Sequence, residues 1–158
     1  MDGSIFAARN DDIEYIKFVG TVRYSHCAGL ESHIDRLFDK NDFDEIVIDL
    51  EEADILDSTA LGLLARIAIE LKKKSTLRPV IFLRQGELNK VLKRVCFDQV
   101  FTILLDTEQQ KQSGFKKLAN LSQSEDEILQ RVIEAHHNLA KIDKKNQAMY
   151  QEITAALN

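Results

Sequence analysis

The chain has 158 residues, enough for one domain of ordinary size and too few for two typical ones. A net charge of -5 and a pI near 5.4 argue against a nucleic-acid footprint, which needs a clustered basic face. Met1 to Ile5 carries no basic segment followed by an apolar one, and no apolar run approaches the roughly 20 residues of a membrane span, so a cytoplasmic protein is expected. Cys27 and Cys96 are the two cysteines, each beside apolar residues in a predicted helix and without Cys-x-x-Cys spacing, which reads as packed, reduced thiols.

In chain order, Ser4 to Arg9 and Ile13 to Val19 read as two strands joined at Asn10-Asp11-Asp12, a first hairpin. A helix follows, with Leu30, Ile34, Leu37 and Phe38 at i, i+4, i+7, i+8. The β-branched run Ile46-Val47-Ile48 lies in a strand from Glu45 to Leu50. The next helix runs from Ser58 to about Lys74, Pro79 opens a strand Val80 to Leu83, and Gly86 to Cys96 carries the apolar stripe Leu88, Val91, Leu92, Val95. Val100 to Leu105 reads as a last strand and Glu108 to Leu121 as a helix weakened by Gly114. Helical crossovers between strands require a parallel core, so the order implies an α/β domain with helices packed against a mixed sheet.

Residues 122–158 go beyond that domain. Ser124 and Glu127 fit a capping box, and Glu125, Asp126 and Glu127 suit the positive end of a helix. Ile128, Val132, Ala135, Leu139, Ile142, Asn146, Met149 and Ile153 then recur at alternating steps of four and three, an amphipathic seam. Unbroken from Glu125 to Leu157, this helix would be roughly 50 Å long. Three arrangements fit it: shorter helices folded back on the domain, a homodimeric coiled coil, or an arm that folds on a partner. Fold-back is slightly favoured, because the seam is modest, with Ala135 and Asn146 on it.

The chain is organised around Asp54 to Gly62. Ser58 falls where a strand-to-helix loop becomes a helix, so its side chain is placed either to cap the first turn or to present a hydroxyl there. At 100° per residue, Ala60, Leu61, Leu64, Ile67, Ala68 and Leu71 face the core, while Ser58, Thr59, Gly62, Arg66 and Lys73 lie opposite, with Leu63 and Ile69. Glycine inside a helix costs about 1 kcal/mol relative to alanine. Gly62, one turn beyond Ser58, therefore suggests room for another protein's backbone.

Asp57-Ser58-Thr59-Ala60-Leu61-Gly62, after a strand ending Ile48-Asp49-Leu50, resembles the signature of the STAS domain of bacterial anti-sigma factor antagonists, with Ala60 where the family often has glycine. The resemblance covers roughly residues 4 to 120. It implies a STAS-like mixed sheet over residues 1–121 and phosphorylation of Ser58 by a partner that is both anti-sigma factor and serine kinase. A PP2C-type phosphatase, often joined to a response regulator, would remove the phosphate. The helical extension is similar to that of HsbA-type regulators. The expected partner-binding residues are Asp57, Ser58, Thr59, Gly62, Leu63, Arg66 and Ile69.

Other chemistry lacks its local parts. There is no Gly-x-x-x-x-Gly-Lys phosphate loop and no Gly-x-Ser-x-Gly elbow, so no enzyme activity, catalytic residue or cofactor is expected. His26, His33, His136 and His137 show no i, i+4 pairing; the adjacent pair reads as surface histidines and no metal site is expected. Asp49, Asp54 and Asp57, with Asp11 and Asp12, leave a receiver-like aspartyl phosphoacceptor as a minor alternative. A larger one is a non-phosphorylated adaptor in which Ser58 is only a cap and the C-terminal helix binds partners. The leading expectation is a switch: phosphate on Ser58 adds about -1.5 to -2 charges, which a helix N-terminus tolerates and a docked partner does not.

Overall fold

The computed structural model describes residues 2–105, 116–121 and 123–149. Strands β1 (Ser4–Asn10) and β2 (Ile13–Val22) form the expected hairpin, and Asp11 takes the positive φ of 55° that its turn needs. Helix α1 (Ala28–Lys40) crosses to β3 (Glu45–Leu56), α2 (Ser58–Lys74) to β4 (Val80–Leu83), and α3 (Glu87–Arg94) to β5 (Thr102–Leu105). The short strand β6 (Lys116–Lys117) precedes α4 (Glu125–Ile142). The strand order is β5-β4-β3-β2-β1-β6, parallel from β2 to β5 and antiparallel where β1 meets β2 and β6.

Alternation along the central strands decides where the helices lie. Ile16, Phe18 and Val22 of β2 and Ile46, Ile48 and Leu50 of β3 are buried in one cluster with Leu30, Ile34 and Leu37 of α1, Leu64, Ile67 and Leu71 of α2, and Leu88 and Leu92 of α3. Tyr15, Lys17, Val47, Asp49 and Phe82 on the other face are only half-buried. Glu14 is the charged exception on the buried face. It takes a hydrogen bond of 2.9 Å from Arg9 Nε and shares one of 2.7 Å with His33 Nε2, so its charge is not left alone. Register shifts at Lys17/Val19 and Gly20/Thr21, with Gly20 at φ 74°, bend β2 along β3.

Two expectations about the sheet are corrected. β3 does not stop at Leu50: pairing of Thr21 with Ile55 and Val22 with Leu56 carries it on, so Asp54 lies in the strand and not in a loop. Lys116 and Lys117, expected in a helix from Glu108 to Leu121, pair as a strand with Phe6 and Ala7; residues 106–115 lie outside the described part. The C-terminal extension takes the slightly favoured arrangement, shorter helices folded back on the domain. Asp143 is extended, accepts the Lys145 amide at 2.9 Å and the Gln147 amide at 3.0 Å, and so starts a second helical stretch at 144–149. Ile153 and Leu157 lie outside the described residues.

Cys27 is the N-cap residue of α1, and Cys96 follows α3 at a left-handed φ of 65°, so neither lies inside a helix. Both are buried free thiols. Burial, with Asp57 adding to it, pushes the Cys27 thiol up to about 12, which keeps it protonated and unreactive.

Candidate functional site

A single residue, Asp57, separates β3 from α2. It is fixed on three sides: its amide donates to Val22 O at 3.1 Å, Oδ1 accepts the Ala60 amide at 2.9 Å, and Oδ2 accepts the Tyr24 amide at 2.7 Å. Asp57 is thus the N-cap of α2, and Ser58, expected as the capping candidate, is the first helical residue. That leaves its hydroxyl for another partner. Ser58 Oγ and His136 Nε2 share a hydrogen bond of 2.8 Å across a sequence separation of 78.

The C-terminal extension folds back, and α4 packs on α2. The reason for Gly62 is visible at this crossing: a Cβ there would overlap both Cβ and the carbonyl oxygen of Ala135. A close backbone approach is what the glycine allows, and the approaching backbone is the chain's own. Gly29 of α1 is covered in the same way by the backbone of Ala119, so the connecting segment is held before it reaches α2. Arg131 of α4 donates to Glu31 of α1 at 3.0 Å and also to the Gln123 side chain. Beyond the break at Asp143, the Asn146 amide donates to the carbonyls of Val95 and Leu139.

The expected partner-binding residues therefore come together, but not as an open surface. Thr59, Gly62 and Leu63 are buried; Asp57, Ser58, Arg66 and Ile69 are half-buried. Arg66 pairs with Asp35 of α1 and borders a cleft of about 370 Å³ with Glu31, Glu70, Glu134 and Lys141. Ile69 lines a larger groove, about 670 Å³, with Ile142 at the end of α4.

His136 was expected on the surface and is 4% exposed. Burial pulls its imidazole below the ordinary 6.5, Asp57 pulls the other way, and His137 reinforces the lowering. A signal for it was present: His136 lies four residues after Val132 and three before Leu139, on the same helical stripe. Two apolar residues beside Asp57 are exposed without a sequence pattern that marks them. Ile55 is 59% exposed and Tyr24 is 47% exposed.

The receiver-like arrangement does not assemble. Asp12 sits at the start of β2, where its carbonyl accepts the Asp44 amide at 2.8 Å, and parallel pairing of β2 with β3 puts Asp57 at the opposite end. Among the described residues, no three of His, Cys, Asp and Glu lie together as a metal site, and no helix is long and apolar enough to cross a membrane.

None of the curated proteins matches the chain. Among solved structures, the chain is similar to an uncharacterized protein of the DUF3478 family with a SpoIIAA-like fold from Shewanella loihica PV-4, at 21% identity over 65% of this chain and 84% of that one, with a TM-score of 0.37. A family model for the STAS domain matches residues 4–110, which span the sheet from β1 to β5 and the Asp57–Ser58 junction. The chain belongs to the STAS domain family.

Proposed function

We propose that this chain is an anti-sigma factor antagonist of the cytoplasm that acts by partner switching, with reversible phosphorylation of Ser58 as the switch. The observation that carries the reading is Ser58 itself: the first residue of α2, within the residues matched by the STAS family, with its hydroxyl turned to the face of α2 that α4 covers. The protein acts by binding and not by turnover. Its partners are an anti-sigma factor or serine kinase and a PP2C-type phosphatase, and the extension beyond the matched residues supports an HsbA-type assignment.

The chemistry follows from charge and room. At the N-terminus of α2, added phosphate meets the positive end of the helix, so the fold tolerates it. At 2.8 Å from His136 there is no space for a phosphoryl group unless that contact opens. Asp57 adds negative charge alongside, so a phosphate buried under a docked partner is left poorly paired. The adaptor reading would use the apolar stripe of α4, which is here turned onto α2.

The test is intact-mass analysis and peptide mapping of the protein from its own growing and stressed cells, with capture of partners by Ser58→Ala and Ser58→Glu. The expected outcome is a phosphate on Ser58 whose occupancy changes, and a partner held by Ser58→Ala but not by Ser58→Glu. An unmodified population in every condition, with equal capture by the two folded variants, would overturn the reading.

A further inference from the structure

We propose that the face of α2 bearing Ser58, Gly62 and Leu63 is a helix-docking groove that α4 fills exchangeably. The partner's contact would be an amphipathic helix with a basic residue one turn before a small residue, itself followed by a hydrogen-bonding side chain. The identity of that partner rests on the reading above; the groove and its exchange do not. The required pattern is the one α4 displays as the resident occupant: Arg131 to Glu31, Ala135 over Gly62, His136 to Ser58. The α1 flank supplies Glu31 and Asp35, which suits a basic visitor.

Three observations make α4 an occupant and not a permanent wall. Of its residues, only Leu139 joins the contiguous core, with Ile142 at its margin. Three of the six buried polar residues among those described, Arg131, His136 and Asn146, lie on this C-terminal segment, beside the buried apolar Ile133, Ala135 and Leu139. Polar contacts of this kind mark interfaces that open, whereas permanent ones are apolar. Non-helical residues 118–121 before it and the extended Asp143 after it also delimit α4 as one helical unit. Ile55 and Tyr24 stay uncovered beside Asp57, which gives an incoming helix a first contact while α4 is still seated.

A resident helix on a short tether has an effective concentration on the order of millimolar, so it masks the groove from weak competitors. The full-length protein tests this with a fluorescent peptide of residues 123–149 as the probe. Ala135→Arg in the protein cannot seat against Gly62 and so opens the groove. The opened protein should bind the unmodified peptide at least tenfold more tightly than wild type does, and adding Gly62→Leu should abolish binding. A folded Ala135→Arg protein that ignores the peptide, or binds it regardless of Gly62→Leu, would overturn the proposal.

Hydrogen exchange on unmodified protein is an independent measurement. Amides of α4 should exchange through an opening that leaves β2 and β3 protected; exchange of all three in one global step would overturn exchangeability. Neither experiment needs a kinase or an anti-sigma factor. Peptide binding by the opened protein that survives Ser58→Glu would leave the groove standing while removing the phosphorylation switch.

Discussion

Ser58 and His136 hold each other at the residue scale, and the pair is built to be sensitive to acid. His136 titrates below its ordinary value when α4 is seated, so the unfolded chain takes up this proton at a higher pH than the folded chain does. The stabilisation is therefore complete above about pH 6.5 and is lost as pH falls toward the lower folded value. Urea unfolding of wild type and His136→Gln between pH 7.5 and 5.5 measures it: the advantage of wild type should shrink on acidification. A constant difference would contradict the assignment. Ser58 and Gly62 were legible in the sequence because each is locally anomalous, a serine at a strand–helix junction and a glycine inside a helix. His136 was legible only as a position on the stripe of Val132 and Leu139, and its contact with Ser58 was not, since the two lie 78 positions apart.

Among the elements, α2 and α4 show how packing reverses a local preference. On an exposed helix, Gly62→Ala would stabilise by about 1 kcal/mol. Here the added methyl group meets Ala135, and the small residues that let the helices approach are lost as a pair. Gly62→Ala should lower the stability of the intact protein and speed tryptic cleavage at Arg131 and Lys141 in α4. A variant more stable than wild type, with α4 as resistant as before, would show that the crossing is looser than its geometry. The amphipathic period of α4 was plain in the sequence, but its counterpart was not, because a stripe states only that something apolar faces it. Asn146 illustrates the limit: on the heptad seam it resembles a register-setting residue, whereas in the fold it donates to Val95 and Leu139.

Across the whole molecule, the order of strands and helices was readable because α/β crossovers leave few alternatives once the periods switch between 2 and 3.6. Strand β3 shows where local signals fail. Glu51, Glu52 and Asp54 look like a polar loop, yet β2 is long enough to pair with the segment through Leu56, and the ladder decides. Strand β6 failed for the opposite reason: two lysines carry little strand preference, and only the open edge of β1 gives them a partner.

The seating of α4 over Ser58 also sets a clock. A ligand that must wait for a helix to lift binds at a rate that rises with its concentration only until the lifting itself becomes limiting. In stopped-flow mixing with excess partner, or with the 123–149 peptide as a surrogate, the observed rate for wild type should level off at the opening rate, and for Ala135→Arg it should keep rising linearly. Phosphorylation of Ser58 by a soluble kinase would meet the same ceiling. A linear rise for wild type throughout would mean that arrival, and not release of the helix, limits association. A plateau places the delay between signal and response in the molecule itself, at the contact between a serine and a histidine.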